Sequence, residues 1–271
     1  MNAFERFLLA LKQTTEVPEP FGAFHFWTLG ITLVVTVLLC LCFRNVSDGK
    51  FRLILFLFWL VLILFEILKQ LRFSFCVEGD TAYWKYPWRI IPFQFCDSPF
   101  YILPLAFLLK EGKLRDTAMA FLASYAFFGG LIVIGPFPES VFCDTMIGNV
   151  HTMFHHGTQV ALGIYIAVYN RDRFTLRTFF TAIPFFLIMV AIAQGGNFIA
   201  HKYIPNEYFN LYYISPFFHK NYPILGPLGE KYHWGLVTFV YVTAFTAVAF
   251  LIFAIQRSMI RLCKGKTPGK A

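Results

Sequence analysis

Polar positions in this chain gather in short breaks, and between them lie apolar runs long enough to cross a hydrocarbon layer, which takes roughly 20 largely apolar residues. Seven such runs are predicted as membrane-spanning helices: 24–43, 51–68, 90–109, 116–134, 148–169, 178–200 and 234–256. The breaks suit their places. Residues 45–49 (Asn-Val-Ser-Asp-Gly) form a turn cluster, 110–113 (Lys-Glu-Gly-Lys) a tight connection, and Gly135-Pro-Phe-Pro138 cannot continue a helix. Tyr83, Trp84, Tyr86 and Trp88 precede the third run, and Trp234 opens the seventh, where aromatic side chains favour the membrane–water boundary. The fold class expected is an all-α integral membrane bundle of about seven helices, one polytopic domain over 1–271 without an internal repeat.

Composition strengthens this reading. The 271 residues are 58% hydrophobic and only 14% charged, with 35 phenylalanines, whereas a soluble domain carries about a quarter charged residues. Residues 1–20 mix charge with apolar residues and lack the profile of a cleaved signal peptide, so the first span is expected to direct its own insertion.

A net charge of +8 would suggest nucleic acid in a soluble protein. Here 14 of the 23 Lys and Arg follow spans one, three, five and seven: Arg44, Lys50, Arg52; Lys110, Lys113, Arg115; Arg171, Arg173, Arg177; and Arg257, Arg261, Lys264, Lys266, Lys270. The loop after span four has none. By the positive-inside rule the C-terminus is cytoplasmic and the N-terminus external. Residues 1–23 then form a short external segment, 257–271 a basic cytoplasmic tail, and 201–233 an ordered external loop on the membrane surface. No basic groove or nucleic-acid motif is present, so nucleic acid is not an expected partner. A multi-pass protein of the plasma membrane is expected; its oligomeric state stays open.

Ionisable residues at membrane depth are costly and point to function. The fifth run carries His151-Thr-Met-Phe-His155-His156-Gly157, three of the chain's seven histidines. The third carries Gln94-Phe-Cys96-Asp97. Helical rise places Cys96 and His156 at similar depth, roughly 10 Å below the outer boundary. Glu66, Gln194 and Asn197 join them in the outer half, while the inner halves read as almost purely apolar. His151 and His155 share a helical face, and His156 points about 100° away. Glu66 has Lys69 and Arg72 nearby as pairing partners.

Three chemistries fit. A thiol activated by an imidazole can accept an acyl group from a phospholipid ester; the phenylalanines would line a cavity for the chain. The spacing HxxxHH resembles one box of membrane desaturases, but His25, His201, His219 and His233 are scattered singly; a zinc held by two histidines and Asp97 is the smaller metal alternative. A carrier or channel also places polar residues inside a bundle, yet none continue to the cytoplasmic side. Among the other cysteines, Cys40 and Cys42 read as packing, Cys76 and Cys143 as candidates for an external disulfide, and Cys263 as a candidate for acylation.

At these residues the chain resembles the YwaF-like family of integral membrane proteins, which extends to the animal transmembrane protein 164 group. The matching segments are Ile91-Pro-Phe-Gln-Phe-Cys-Asp97, similar to that family's Leu-Pro-x-His-x-Cys-Asp/Asn; His155-His-Gly157, similar to Ser/His-His-Gly; Gly196-Asn197; and Leu225-Gly-Pro-Leu-Gly-Glu-Lys-Tyr-His-Trp234, similar to a Gly-Pro-Trp-Pro-Trp-Tyr segment. The resemblance implies a compact helical bundle and, from the animal branch, phospholipid acyl transfer by a Cys and a His. These map onto Cys96 as nucleophile and His156 as base, with Asp97, His155, Asn197 and Gln94 in support, no metal and no cofactor. Membrane phospholipids or lysophospholipids are the implied partners. Two departures stand out: Gln94 replaces a common His, and Leu228 and Gly229 replace Trp and Pro.

Overall fold

The computed structural model describes residues 1–218 and 225–265, with side chains omitted at 225 and 263–265. His219, Lys266 and Lys270, and the side chains of Cys263 and Lys264, lie outside the described residues.

Helices follow the apolar blocks. In chain order they are α1 (Ala3–Ala10), α2 (Ala23–Cys42) and α3 (Asp48–Ser74), then an antiparallel hairpin of β1 (Phe75–Glu78) and β2 (Thr81–Trp84). Next come α4 (Ser98–Leu108), and α5 (Lys113–Phe121), which runs through a π-helical stretch, Leu122–Ala126, into α6 (Phe127–Ile134). The chain continues as α7 (Met146–Tyr169), α8 (Leu176–Tyr203), α9 (Leu225–Lys231) and α10 (Trp234–Gly265). Five of these helical rods are long and apolar enough to cross a membrane: α2, α3, α5 to α6, α8 and α10. The protein is therefore a multi-pass integral membrane protein of the all-α class.

The third predicted span needs correction. No single helix covers 90–109. A 3-10 turn at Trp88–Ile90 is followed by extended chain, and helix resumes only from Phe95 to Leu108. Pro92 lacks the donor a continuous helix needs there. The start of the new helix is fixed by Asp97, whose carboxylate accepts from the Gln94 amide at 2.6 Å while the Asp97 amide donates to the Gln94 carbonyl. A carboxylate there also faces the positive end of α4. The fifth predicted span corresponds to α7, 24 residues long, but its polar residues leave it less apolar than the other rods. It stands at the centre of the bundle against α2 and α6, so protein rather than lipid covers most of it.

That central packing is close because small residues allow it. A Cβ on Gly157 would come within 2.6 Å of Thr32 Oγ1 on α2, and one on Gly130 of α6 within 2.6 Å of the His156 carbonyl. Both contacts fix the turn of α7 that carries His155 and His156.

The segment before α2 and the loop after α8 are both structured. The segment 1–23 includes α1, capped reciprocally by Asn2 and Glu5, and it is stapled to the α6–α7 connection where the Thr15 amide donates to the Asp144 carbonyl at 2.7 Å. In the hairpin Tyr83 donates to Glu78 at 2.5 Å, a bond that pushes the Tyr83 hydroxyl up to about 12. The loop after α8 does not lie flat on a surface. Residues Phe209, Leu211, Tyr212 and Ile214 are buried, and Tyr212 and Tyr213 take positive φ values of 55° and 58°, a costly geometry for residues with a Cβ unless the surroundings hold it.

The half of the bundle expected to be cytoplasmic and almost purely apolar carries a buried cation. Arg115 of α5 is 1% exposed and donates to the Ala106 carbonyl at 2.9 Å and to Asp48 at 2.5 Å, tying α3, α4 and α5 together. Of the remaining thiols, Cys42 is exposed rather than packed, and Cys76 and Cys143 stand as separate free thiols.

Candidate functional site

Three elements build the site: the start of α4, the middle of α7 and the outer part of α3. The 3-10 turn Phe95–Asp97 presents Cys96 towards α7. One ligand-type atom each from Cys96, His155 and His156 lies within 4.8 Å of the other two. Cys96 is half-buried, and the two histidines are 3% and 4% exposed. Predicted nucleophile and predicted base are thus brought together, with His155 beside them.

The hydrogen bonds decide which imidazole nitrogens are free. His156 Nδ1 sits 2.7 Å from the Thr152 carbonyl, and His155 Nε2 sits 2.9 Å from the Cys96 carbonyl. A carbonyl can only accept, so each of these nitrogens carries the hydrogen, and the opposite nitrogen of a neutral ring keeps its lone pair. Those opposite atoms, His156 Nε2 and His155 Nδ1, are buried and have no hydrogen-bond partner among the described residues. His25 provides the contrast. Its Nε2 donates to the Ile134 carbonyl at 2.7 Å and its Nδ1 accepts from the Phe21 amide at 3.0 Å, so nothing is left over.

The other predicted supporters act at a distance from the thiol. Asp97 caps the turn and approaches His155 Nε2 at 3.9 Å. Gln94 and Asn197 do not join the thiol–imidazole group; they hold the buried loop. The Gln94 carboxamide donates to the Asn210 carbonyl and accepts from the Tyr212 amide, at 3.0 and 2.8 Å. Asn197 bonds Leu211 twice, as donor to its carbonyl and acceptor from its amide. These bonds hold Tyr212 in its positive-φ conformation against Phe95. The phenylalanines nearest the turn, Phe95, Phe128, Phe186 and Phe245, pack ring against ring.

A second polar layer lies one turn further out. Glu66 pairs with Lys69 at 2.7 Å, accepts from Gln70 at 2.6 Å and lies 3.8 Å from His151 Nε2. Sequence reasoning missed Gln159, whose Nε2 donates to the Cys96 carbonyl at 2.6 Å. It continues the spacing of His151 and His155 by another four residues on the same face of α7, and that regularity was the available signal. Gln159 and His155 together fix the Cys96 backbone.

Chemically, a half-buried thiol within 4.8 Å of a ring nitrogen of each of two buried imidazoles can pass a proton and form a covalent bond to an electrophile. The same donor set suits a borderline or soft metal ion. Compared with family models, curated proteins and solved structures, the chain gives no match.

Proposed function

We propose that this protein transfers or hydrolyses acyl chains of membrane phospholipids through Cys96 and His156, as its resemblance to the YwaF-like family implies. The observation that carries the reading is the grouping of the Cys96 thiol with ring nitrogens of His155 and His156, together with a His156 Nε2 that has no hydrogen-bond partner among the described residues. His156 Nε2 takes the thiol proton as sulfur attacks the ester carbonyl carbon. The ester C–O bond then breaks, the departing lysolipid oxygen takes that proton back from His156, and a thioester remains on Cys96. In the second half His156 removes a proton from the acceptor hydroxyl, of a lysolipid or of water, which attacks the thioester. The sulfur leaves as thiolate and regains the proton. His155 and Gln159 position the Cys96 backbone, Asp97 fixes the turn, and no metal takes part.

The topology belongs to the same proposal. With α7 as a sixth crossing and α4 plus its protein-covered extended lead-in as the seventh, the chain runs from an external N-terminus to a cytoplasmic C-terminus in the plasma membrane. Non-helical backbone at membrane depth is tolerated where protein covers it.

Mass spectrometry of the purified protein after incubation with mixed phospholipids tests the chemistry. The expected result is an acyl thioester on Cys96 that disappears in His156→Ala. Folded protein with an accessible Cys96 and no adduct would remove the nucleophile assignment. A second reading, a Cys–His–His ion site, draws on the second orphaned lone pair, His155 Nδ1. Stoichiometric zinc or another metal in elemental analysis, lost together in Cys96→Ala and His155→Ala, would favour it.

A further inference from the structure

Just outside the second polar layer lies a cavity of about 170 Å³ between the end of α1, the outer end of α3 and the first turn of α7. Its lining divides by chemistry. Leu11, Phe65, Leu68 and Phe73 are apolar; Lys69, Arg72, His151 and Thr152 are polar or cationic. The two cations differ. Lys69 is held by Glu66 at 2.7 Å. Arg72 donates to the neutral Thr145 hydroxyl at 2.7 Å and lies 5.0 Å from the centre of the Phe73 ring. Among the described residues no carboxylate pairs with it. A half-buried guanidinium with only neutral partners, at the rim of an apolar cavity, is left with charge to match.

Two further features point to the charge that matches it. His151 Nε2 is not one of them, because it already faces the Glu66 carboxylate at 3.8 Å. The first turn of α7 lines the wall through Ile147 and Gly148, and that helix begins without a side-chain cap, so its first amides lack intrahelical acceptors. Such amides beside a guanidinium favour an anion with several acceptor oxygens. The apolar half of the lining favours an anion that carries hydrocarbon.

We infer that this cavity binds the phosphate of a glycerophospholipid, with Arg72 as its principal anchor. The inference rests on the acyl-transfer reading and names the part of the substrate that reading leaves unplaced. The cavity adjoins the thiol–imidazole group: Thr152, which lines it, accepts from His156, and His155 follows His151 by four residues, about 6 Å along the axis. In a glycerophospholipid the acyl ester is only a few bonds from the phosphate. A phosphate at Arg72 therefore brings the ester carbonyl towards Cys96 while the chains follow the apolar wall. Gly148 belongs to the arrangement, because a Cβ there would meet Cys143 Sγ at 2.5 Å and Arg72 Nη1 at 3.3 Å.

The test uses the full chain in detergent, with binding measured for short-chain phosphatidylglycerol, the matching diacylglycerol and inorganic phosphate. Expected are saturable binding of phosphatidylglycerol, at least tenfold weaker binding of diacylglycerol, and no displacement by inorganic phosphate at concentrations equal to the lipid. Arg72→Gln should reduce phosphatidylglycerol affinity at least tenfold while the variant keeps its melting temperature, and Arg72→Lys should recover part of it. Unchanged affinity in folded Arg72→Gln overturns the proposal. Displacement by inorganic phosphate alone overturns the lipid assignment, since the site would then take the free anion. The unaltered protein separates the two readings. If its binding depends on Arg72 but Cys96 never forms a thioester, the acyl-transfer reading fails and the phosphate site stands. A thioester that forms equally well in Arg72→Gln sinks the phosphate site alone.

Discussion

Two buried polar groups stand towards opposite ends of this bundle, and their bonding differs. Around Arg115 the donors are used: Nε meets the Ala106 carbonyl, Nη2 meets Asp48, and the guanidinium lies 5.8 Å from the Phe51 ring centre. Around Cys96, two buried imidazoles each use one nitrogen on a backbone carbonyl and leave the other without a partner. Buried polar atoms are ordinarily satisfied, and an orphan asks for an explanation. The first cluster is accounted for by the fold it ties together. On the proposed reading, the second awaits the proton that His156 exchanges with Cys96 and the substrate.

Four substitutions would break or sharpen that contrast. Cys96→Ser should have the largest effect, eliminating the acyl thioester while changing stability by less than about 1 kcal/mol; a large loss of melting temperature would make Cys96 a packing residue. Arg115→Ala should do the reverse, costing about 3 kcal/mol because it leaves Asp48 and a buried carbonyl without their cation, while the surviving folded fraction still labels at Cys96. Gly157→Ala should cost about 2 kcal/mol through overpacking against Thr32, and adding Thr32→Ala should recover most of it in thermal unfolding. If the double variant is no more stable than the single one, the close α2–α7 contact is not what Gly157 serves. His25→Gln should have the smallest effect, about 1 kcal/mol from a lost buried hydrogen bond, with thioester formation unchanged. Lost labelling in that variant would mean that His25 is not the purely structural histidine its two filled nitrogens indicate.

How far the site was legible follows from the reach of each interaction. The spacing of His151, His155 and His156, and the Gln94–Asp97 segment, stood out because polar residues in apolar blocks are local anomalies. The equal-depth argument brought Cys96 to the histidines although the continuous helix it assumed over 90–109 is absent, the chain before Phe95 being extended. It failed for Gln94 and Asn197, whose partners are backbone groups at 210–212. Those lie in a loop whose descent into the bundle has no periodic signature. Arg115 looked like a cytoplasmic loop cation, since nothing local announces that α4 and α5 close over it.

What the sequence alone determined is the class of the molecule and most of its rods. Unbroken apolar length sets α2, α3, the α5 to α6 rod, α8 and α10, because hydrocarbon leaves a backbone no partner but itself. Tertiary structure decided the rest. It placed the polar α7 where protein covers it and, among the described residues, left Arg72 without the carboxylate that Lys69 obtained. Each outcome depends on which residues, distant in the chain, come within a few ångströms, and local pattern carries no record of that.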